Sequence, residues 1–189
     1  MTLYVVRHGR TEANASGLLL GRADPELDEV GRAQAARIAA ALPPGARVVS
    51  SPLARCRQTA EALAAHPETD DRLLEMDYGD FDLTPVAEVS DEVWAVWRSD
   101  PDFRPPNGES HRELGERVGA VLDELCADAA SGDVIVVTHV SPIKASLAWA
   151  LGVGIEVSWR CFVAQASITR IGVTDRGPSL HTFNQTDHL

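Results

Sequence analysis

The chain opens on an apolar run, Thr2-Leu3-Tyr4-Val5-Val6, that stops in Arg7, His8 and Gly9. Adjacent Val5 and Val6 suit a strand covered on both faces, as in a parallel α/β sheet, better than a strand with one wet face. The same pattern returns at Asp133-Val134-Ile135-Val136-Val137-Thr138-His139, and in shorter form at Arg47-Val48-Val49-Ser50. Between these runs the period changes to that of helices. Asp28 is a fair N-cap for a helix over 29–42, with Ala33, Ala36, Ile38 and Leu42 as an approximate apolar face, stopped by Pro43-Pro44-Gly45. Ser51-Pro52 reads as an N-cap followed by proline at the first helical position, opening a helix to about residue 65 that buries Leu53, Cys56, Ala60 and Leu63. Ser110-His111-Arg112-Glu113 fits a capping box, and Leu114, Val118, Val121, Leu122 and Leu125 repeat behind it at helical spacing. Ser141-Pro142 opens a further helix that Gly152 ends.

The remaining stretches are less regular. Residues 11–23 are polar and glycine-bearing, which predicts a loop over the end of the first strand. Residues 68–110 carry prolines and two tryptophans; Ser90 caps a short helix bearing Val93, Trp94 and Trp97, and a lid-like insert is expected at about 76–109. A terminal hairpin is expected from residues 167–173 and 180–183 around the turn Asp175-Arg176-Gly177, with 184–189 as a loose end. Buried strands alternating with helices predict an α/β three-layer sandwich, a mostly parallel central sheet flanked by helices, in a single domain over 1–189.

Composition narrows the function. The chain has 189 residues, 44% hydrophobic and 24% charged, enough for one domain with a sizeable core. Its formal net charge of -11 argues against nucleic acid as partner, because phosphate-backbone binding needs a basic surface. An anionic small molecule must then be held by a local cationic pocket inside an acidic body. Cys56, Cys126 and Cys161 are odd in number and lack metal-like spacing, which fits a reducing compartment, so the cytoplasm is expected. No basic leader and no apolar run of bilayer length is evident, so no membrane partner is expected.

If the three apolar strands are neighbours, their carboxyl ends converge, bringing Arg7 and His8, Ser50 and Ser51 with Arg55 beyond, and His139 to one edge. Two Ser-Pro helix starts would add free backbone N–H groups there. Two arginines and two histidines so placed make a site for a small dianion, most naturally a phosphoryl group, which the guanidinium fork contacts bidentately. Taken singly, each histidine reads as a partly buried ring with a satisfied hydrogen bond. Glu75 lies among Glu68, Asp70, Asp71, Asp77, Asp80 and Asp82, a run that by itself describes a solvated face. His66, His111, His181 and His188 read as structural or exposed, and Gly21 and Arg22, in the loop, are candidate substrate contacts.

Arg7-His8-Gly9, Ser50-Ser51-Pro52-Leu53-Ala54-Arg55 followed by Gln58-Thr59-Ala60, Leu74-Glu75 before Tyr78-Gly79, and Thr138-His139 together resemble the histidine phosphatase (phosphoglycerate mutase-like) superfamily, in order and over nearly the whole chain. The resemblance implies that His8 is a nucleophile that becomes phosphorylated, that Arg7 and Arg55 clamp the phosphoryl oxygens, and that His139 donates to the same oxygens. It also implies Asn14 as a polar substrate contact and Glu75 as the proton donor, with no metal or other cofactor. Arg10, the sequence Asp80-Phe81-Asp82 and the early Pro25 depart from the common family pattern around the pocket rim. Pro106-Asn107-Gly108-Glu109-Ser110 and the ending around Asn184-Gln185-Thr186 are similar to small bacterial phosphatases, including broad-specificity acid phosphatases and the α-ribazole phosphatase type. The expectation is a phosphomonoesterase of small phosphorylated metabolites, monomeric or homodimeric. Its rivals are a phosphoglycerate mutase, a non-catalytic phosphate-binding regulatory module, and a metal-dependent hydrolase using His8, Asp24, Glu75 and His139.

Overall fold

The computed structural model of the protein describes residues 1–127 and 132–189. Among these residues six strands, β1 (Thr2–Arg7), β2 (Arg47–Ser50), β3 (Glu68–Thr69), β4 (Val134–Thr138), β5 (Ile168–Thr174) and β6 (Gly177–Gln185), form one sheet in the order β3-β2-β4-β1-β5-β6. β1, β2, β3 and β4 run parallel, and β5 pairs antiparallel with both β1 and β6. The register sets Arg7 beside Thr138 and Ser50 beside Val137. His8, Ser51 and His139 therefore leave the sheet together at its carboxyl edge, the place where open α/β sheets bind ligands.

The continuous apolar runs are strands with both faces covered: all five residues of β4 are buried. Alternation divides them between two cores. Leu3, Val5, Val49, Val134 and Val136 join Leu114, Val118, Val121, Leu122 and Leu125 of α5 (His111–Ala127) and Ile143 of α6 (Val140–Leu151). Val6, Val48, Ile135 and Val137 join Ile38 of α2 (Glu29–Ala41) with Leu42 just beyond it, and Cys56 and Ala60 of α3 (Ala54–Glu61). The expected three-layer α/β sandwich is the result.

Local chemistry sets the helix ends. Asp28 accepts from Gly31 N to start α2, and Ser110 and Glu113 exchange hydrogen bonds across the start of α5. Gly152 ends α6 in the left-handed conformation, φ 64°. Ser90 accepts from Val93 N at the start of α4 (Asp91–Ser99), which buries Trp97.

Several expectations need correction. Residues 11–23 are not all loop: Thr11 and Asn14 form a capping box around the one-turn α1 (Glu12–Ala15). Ala33 and Ala36 of α2 face solvent, and Gly31, Ala35 and Ile38 are the buried positions, because glycine and alanine let the helix lie close to the chain beneath it. Ser51 is not an N-cap. α3 starts at Ala54, whose N–H donates to Asp24 Oδ1 from the neighbouring loop, and it ends at Glu61. Leu53 and Leu63 are consequently only half-buried. α6 begins one residue before Ser141, with His139 as its N-cap. The tail is pinned: β6 runs through Gln185, Asn184 Oδ1 accepts from Ala164 N, and His188 Nε2 meets Ala166 O.

Candidate active site

β1 delivers His8 to the sheet edge, where its N–H donates to Thr138 O at 3.0 Å. The His8 ring lies 5.1 Å from that of His139, centroid to centroid, in an edge-on contact. His8 Nδ1 is 2.6 Å from Gly9 O. A carbonyl only accepts, so Nδ1 carries the proton and Nε2 keeps its lone pair, with no protein partner among the described residues. The Gly9 peptide is itself held: its N–H donates to Thr59 Oγ1, Thr59 Oγ1 donates to Arg55 O, and Arg10 N–H donates to Gln34 Oε1. Burial, and then Arg55 and Arg7, push the His8 pKa well below that of free histidine, so the ring is neutral.

His139 is fully buried. Arg55 Nε donates to its Nδ1 at 3.2 Å, which leaves the proton on Nε2, 2.8 Å from Ser51 Oγ. Burial, then Arg55 and His8, hold this imidazole well below its ordinary pKa too. Arg55 is also fully buried, and its other two nitrogens donate to Ala23 O at 2.7 Å and Gly21 O at 2.8 Å. Arg7 NH1 donates to Val163 O at 2.8 Å, while its Nε is buried without a partner among the described residues.

Glu75 reaches the same place from the loop after a 3-10 turn at Asp71–Leu73. Its Oε1 accepts from Met76 N at 2.7 Å and Ser141 N at 3.1 Å, and its Oε2 from Val140 N at 3.1 Å. The free N–H groups at the start of α6, expected to face a ligand, thus hold this carboxylate instead. Arg117 of α5 fixes the loop by donating to the carbonyls of Arg72, Leu74 and Glu75, and Thr138 Oγ1 does so through Leu73 O.

A cavity of about 180 Å³ opens here, lined by Arg7, His8, Asn14, Glu75, Tyr78 and Val140 with Leu18, Leu19 and Leu20. Arg7, His8, Asn14 and Glu75 line it together. Arg55 and His139 do not line it; they are gathered behind His8, without exposed surface. Asn14 accepts through Oδ1 from Thr11 N and Thr11 Oγ1, which leaves its amide nitrogen for a ligand. Gly21 and Arg22 are not contacts in this cavity. Gly21 N–H donates to Asp82 Oδ1, its carbonyl holds Arg55, and Arg22 reaches Glu109 at 3.5 Å.

Sequence reasoning missed Ser51 as the partner of His139, Thr59 and Gln34 as supports of Gly9, and Arg117 as the anchor of Glu75. Asp82 stands out in the sequence only as a departure from the family pattern, yet it accepts from both Gly21 N and Ala23 N and so shapes the turn whose carbonyls hold Arg55. Asp24 is committed to Ala54 N–H, and among the described residues no group of three or more His, Cys, Asp or Glu is arranged to hold a metal ion.

A bifunctional protein of Mycobacterium tuberculosis is 35% identical over 99% of this chain, which spans 54% of that protein's length, so the chain covers about half of it. Among solved structures, a mutant phosphoserine phosphatase from Entamoeba histolytica in complex with phosphoserine superposes with a TM-score of 0.90 at 25% identity, covering 100% of this chain and 98% of that one. The mycobacterial glucosyl-3-phosphoglycerate phosphatase with VO3 gives 0.88 at 28% identity, covering 98% and 99%. The model of the histidine phosphatase superfamily, branch 1, matches residues 3–186, the stretch from β1 through β6 that builds this site, and the chain belongs to that superfamily.

Proposed function

We propose that the protein is a metal-independent phosphomonoesterase that hydrolyses small phosphorylated metabolites through a phosphohistidine on His8. The observation that carries this reading is the state of His8: neutral, with Nδ1 tied to Gly9 O and Nε2 free at a cavity that also holds Arg7 and Glu75. Nε2 attacks phosphorus in line with the ester oxygen; the N–P bond forms as the P–O bond breaks, and the Glu75 carboxylate, having taken the proton of the bound ester monoanion, passes it to the departing alkoxide. Water then attacks the phosphohistidine, Glu75 takes a proton from it, and inorganic phosphate leaves with His8 restored.

Arg7 faces the equatorial oxygens, and its unpartnered Nε supplies a donor there. Arg55 adds positive potential from behind His8, in a dry setting where electrostatics dominate. Ser51 Oγ accepts from His139 Nε2–H and Arg55 Nε–H fills its Nδ1, so His139 acts by holding Arg55 beside His8. Two protonatable groups held apart in role, a neutral nucleophile and a carboxyl proton carrier, leave no step that needs a metal ion.

The test is covalent trapping. After brief exposure to a radiolabelled phosphate ester, the wild-type protein carries an acid-labile, alkali-stable label, and phosphate release continues in the presence of chelator. His8→Ala shows neither label nor turnover. A wild-type protein that takes no label and releases no phosphate across a metabolite panel, or that isomerises phosphoglycerate faster than it hydrolyses it, overturns the reading.

A further inference from the structure

Beside the phosphoryl cavity lies a second one of about 400 Å³, which shares Leu19, Tyr78 and Val140 with it. Its wall is aromatic. Trp94 and Trp97 stack at 5.4 Å, and Trp159 meets them edge-on at 6.1 and 6.3 Å. Phe162, also on the lining, is 75% exposed, a large apolar surface that an occupant would cover.

Polar groups without partners line the same space. Lys144, the only lysine in the sequence, sits one turn into α6 and is half-buried on this wall. No hydrogen bond or ion pair reaches its amine among the described residues. Burial holds its pKa below the ordinary value. Among the described residues Trp97 Nε1, His111 Nδ1 and Ser158 Oγ are buried without hydrogen-bond partners, and all three residues line this cavity. A packed core does not leave a cation and three polar atoms unsatisfied around one space, since each carries its full desolvation penalty.

We propose that this second cavity is the leaving-group subsite, selecting phosphate esters of alcohols whose bulky aromatic or apolar body carries one carboxylate, read by Lys144. The proposal rests on the phosphomonoesterase reading for the position of the phosphoryl group. Stacked indoles take a flat apolar body, and the indole N–H and the serine hydroxyl offer neutral hydrogen bonds around the charge. One ammonium without an arginine fork suits a monoanion better than a second phosphoryl dianion.

Three esters with unactivated primary oxygens test it: ethyl phosphate, 2-phenylethyl phosphate, and the latter's para-carboxyl derivative. The wild-type kcat/KM is expected to rise at least about tenfold from the first to the second by apolar burial. It rises about tenfold again to the third through the charge-assisted bond to Lys144. Lys144→Met removes the second step and leaves the first. Equal rates on ethyl and phenylethyl esters, or a carboxylate advantage that survives in Lys144→Met, overturn the proposal. A second measurement uses the unmodified protein: the alcohol product, 4-(2-hydroxyethyl)benzoate, should protect Lys144 from acylation by an amine-reactive ester, read by peptide mass spectrometry with the N-terminal amine as control. Protection without turnover of any ester upholds the subsite and removes the phosphatase reading; turnover without protection removes the subsite alone.

Discussion

His8 and His139 are two imidazoles 5.1 Å apart whose neighbours assign them different work. A backbone carbonyl fixes the proton of His8 on Nδ1 and frees Nε2, whereas the Arg55 guanidinium occupies His139 Nδ1 and leaves its proton toward Ser51. Glu75 is the third member, and it differs from a surface acid in being 3% exposed and in accepting from Met76, Val140 and Ser141 N–H. A carboxylate can accept from all three; an amide replaces one of its oxygens with a donor that faces an N–H group. In the proposed reaction Glu75→Gln therefore loses the transferable proton, and it also loses one helix-start hydrogen bond, the latter costing about 1–3 kcal/mol of stability. On alkyl phosphates, where the departing alkoxide must be protonated, kcat should fall by about 100- to 10,000-fold. On 4-nitrophenyl phosphate, whose leaving group departs as a stable anion, the fall should be far smaller, and equal losses in steady-state kinetics would remove Glu75 from the proton-transfer role.

The elements that could be read from sequence are those whose signals are local. Two doubly buried strands, the α5 capping box and the Gly152 stop depend on neighbours within a turn or a few residues, and each forms as its residues predict. What escaped depends on partners far along the chain. Asp24 displaced Ser51 as the start of α3, Glu75 took the first N–H groups of α6, and Arg117 holds Glu75 from a distance of 42 residues. The candidate site divides the same way: that Arg7, His8 and His139 meet at one sheet edge could be read from their strands, while the supports of Gly9 could not. That support is a close approach of two chains. A Cβ at Gly31 in α2 would overlap the Arg10 carbonyl oxygen, and a Cβ at Gly9 would overlap the Gly31 carbonyl. Gly31→Ala must push α2 away from the turn that carries Gly9 O, at a cost of about 1–3 kcal/mol as for other overpacked sites. Because Gly9 O orients the His8 ring, kcat should drop along with the urea midpoint. A variant with wild-type kcat would show that the turn tolerates the displacement.

At the scale of the whole molecule, an acidic body of net charge -11 encloses three histidines that are buried neutral. Burial leads in each case: it holds His8 and His139 well below the ordinary value, with Arg55 next among the causes, and with Lys144 it pushes His111 down to about 4. For a base whose folded pKa is depressed, the unfolded chain binds the extra proton, so stability rises with pH up to the unfolded value and is lost as pH falls below it. Each histidine contributes about 1.4 kcal/mol per pH unit once its unfolded form is protonated, so three acting together give about 4 kcal/mol per unit. The loss begins near the unfolded histidine value of 6.5 and extends, for His111, down to about 4. Carboxylates such as Asp28, Glu68 and Asp70 have folded values lowered from 3.8, 4.5 and 3.8, so their stabilisation, present above those values, is lost only in a second, more acidic window. Urea midpoints should therefore fall steeply between pH 6.5 and 4.5, before the carboxylates begin to protonate. His111→Phe keeps the ring packing against Trp97 and Trp159 and removes one titrating group, so its slope in that window should be shallower by about 1.4 kcal/mol per pH unit. A wild-type profile that is flat from about pH 6.5 to 5 would mean that these rings can charge within the folded protein, and the proposal of a neutral nucleophile at His8 would lose its physical basis.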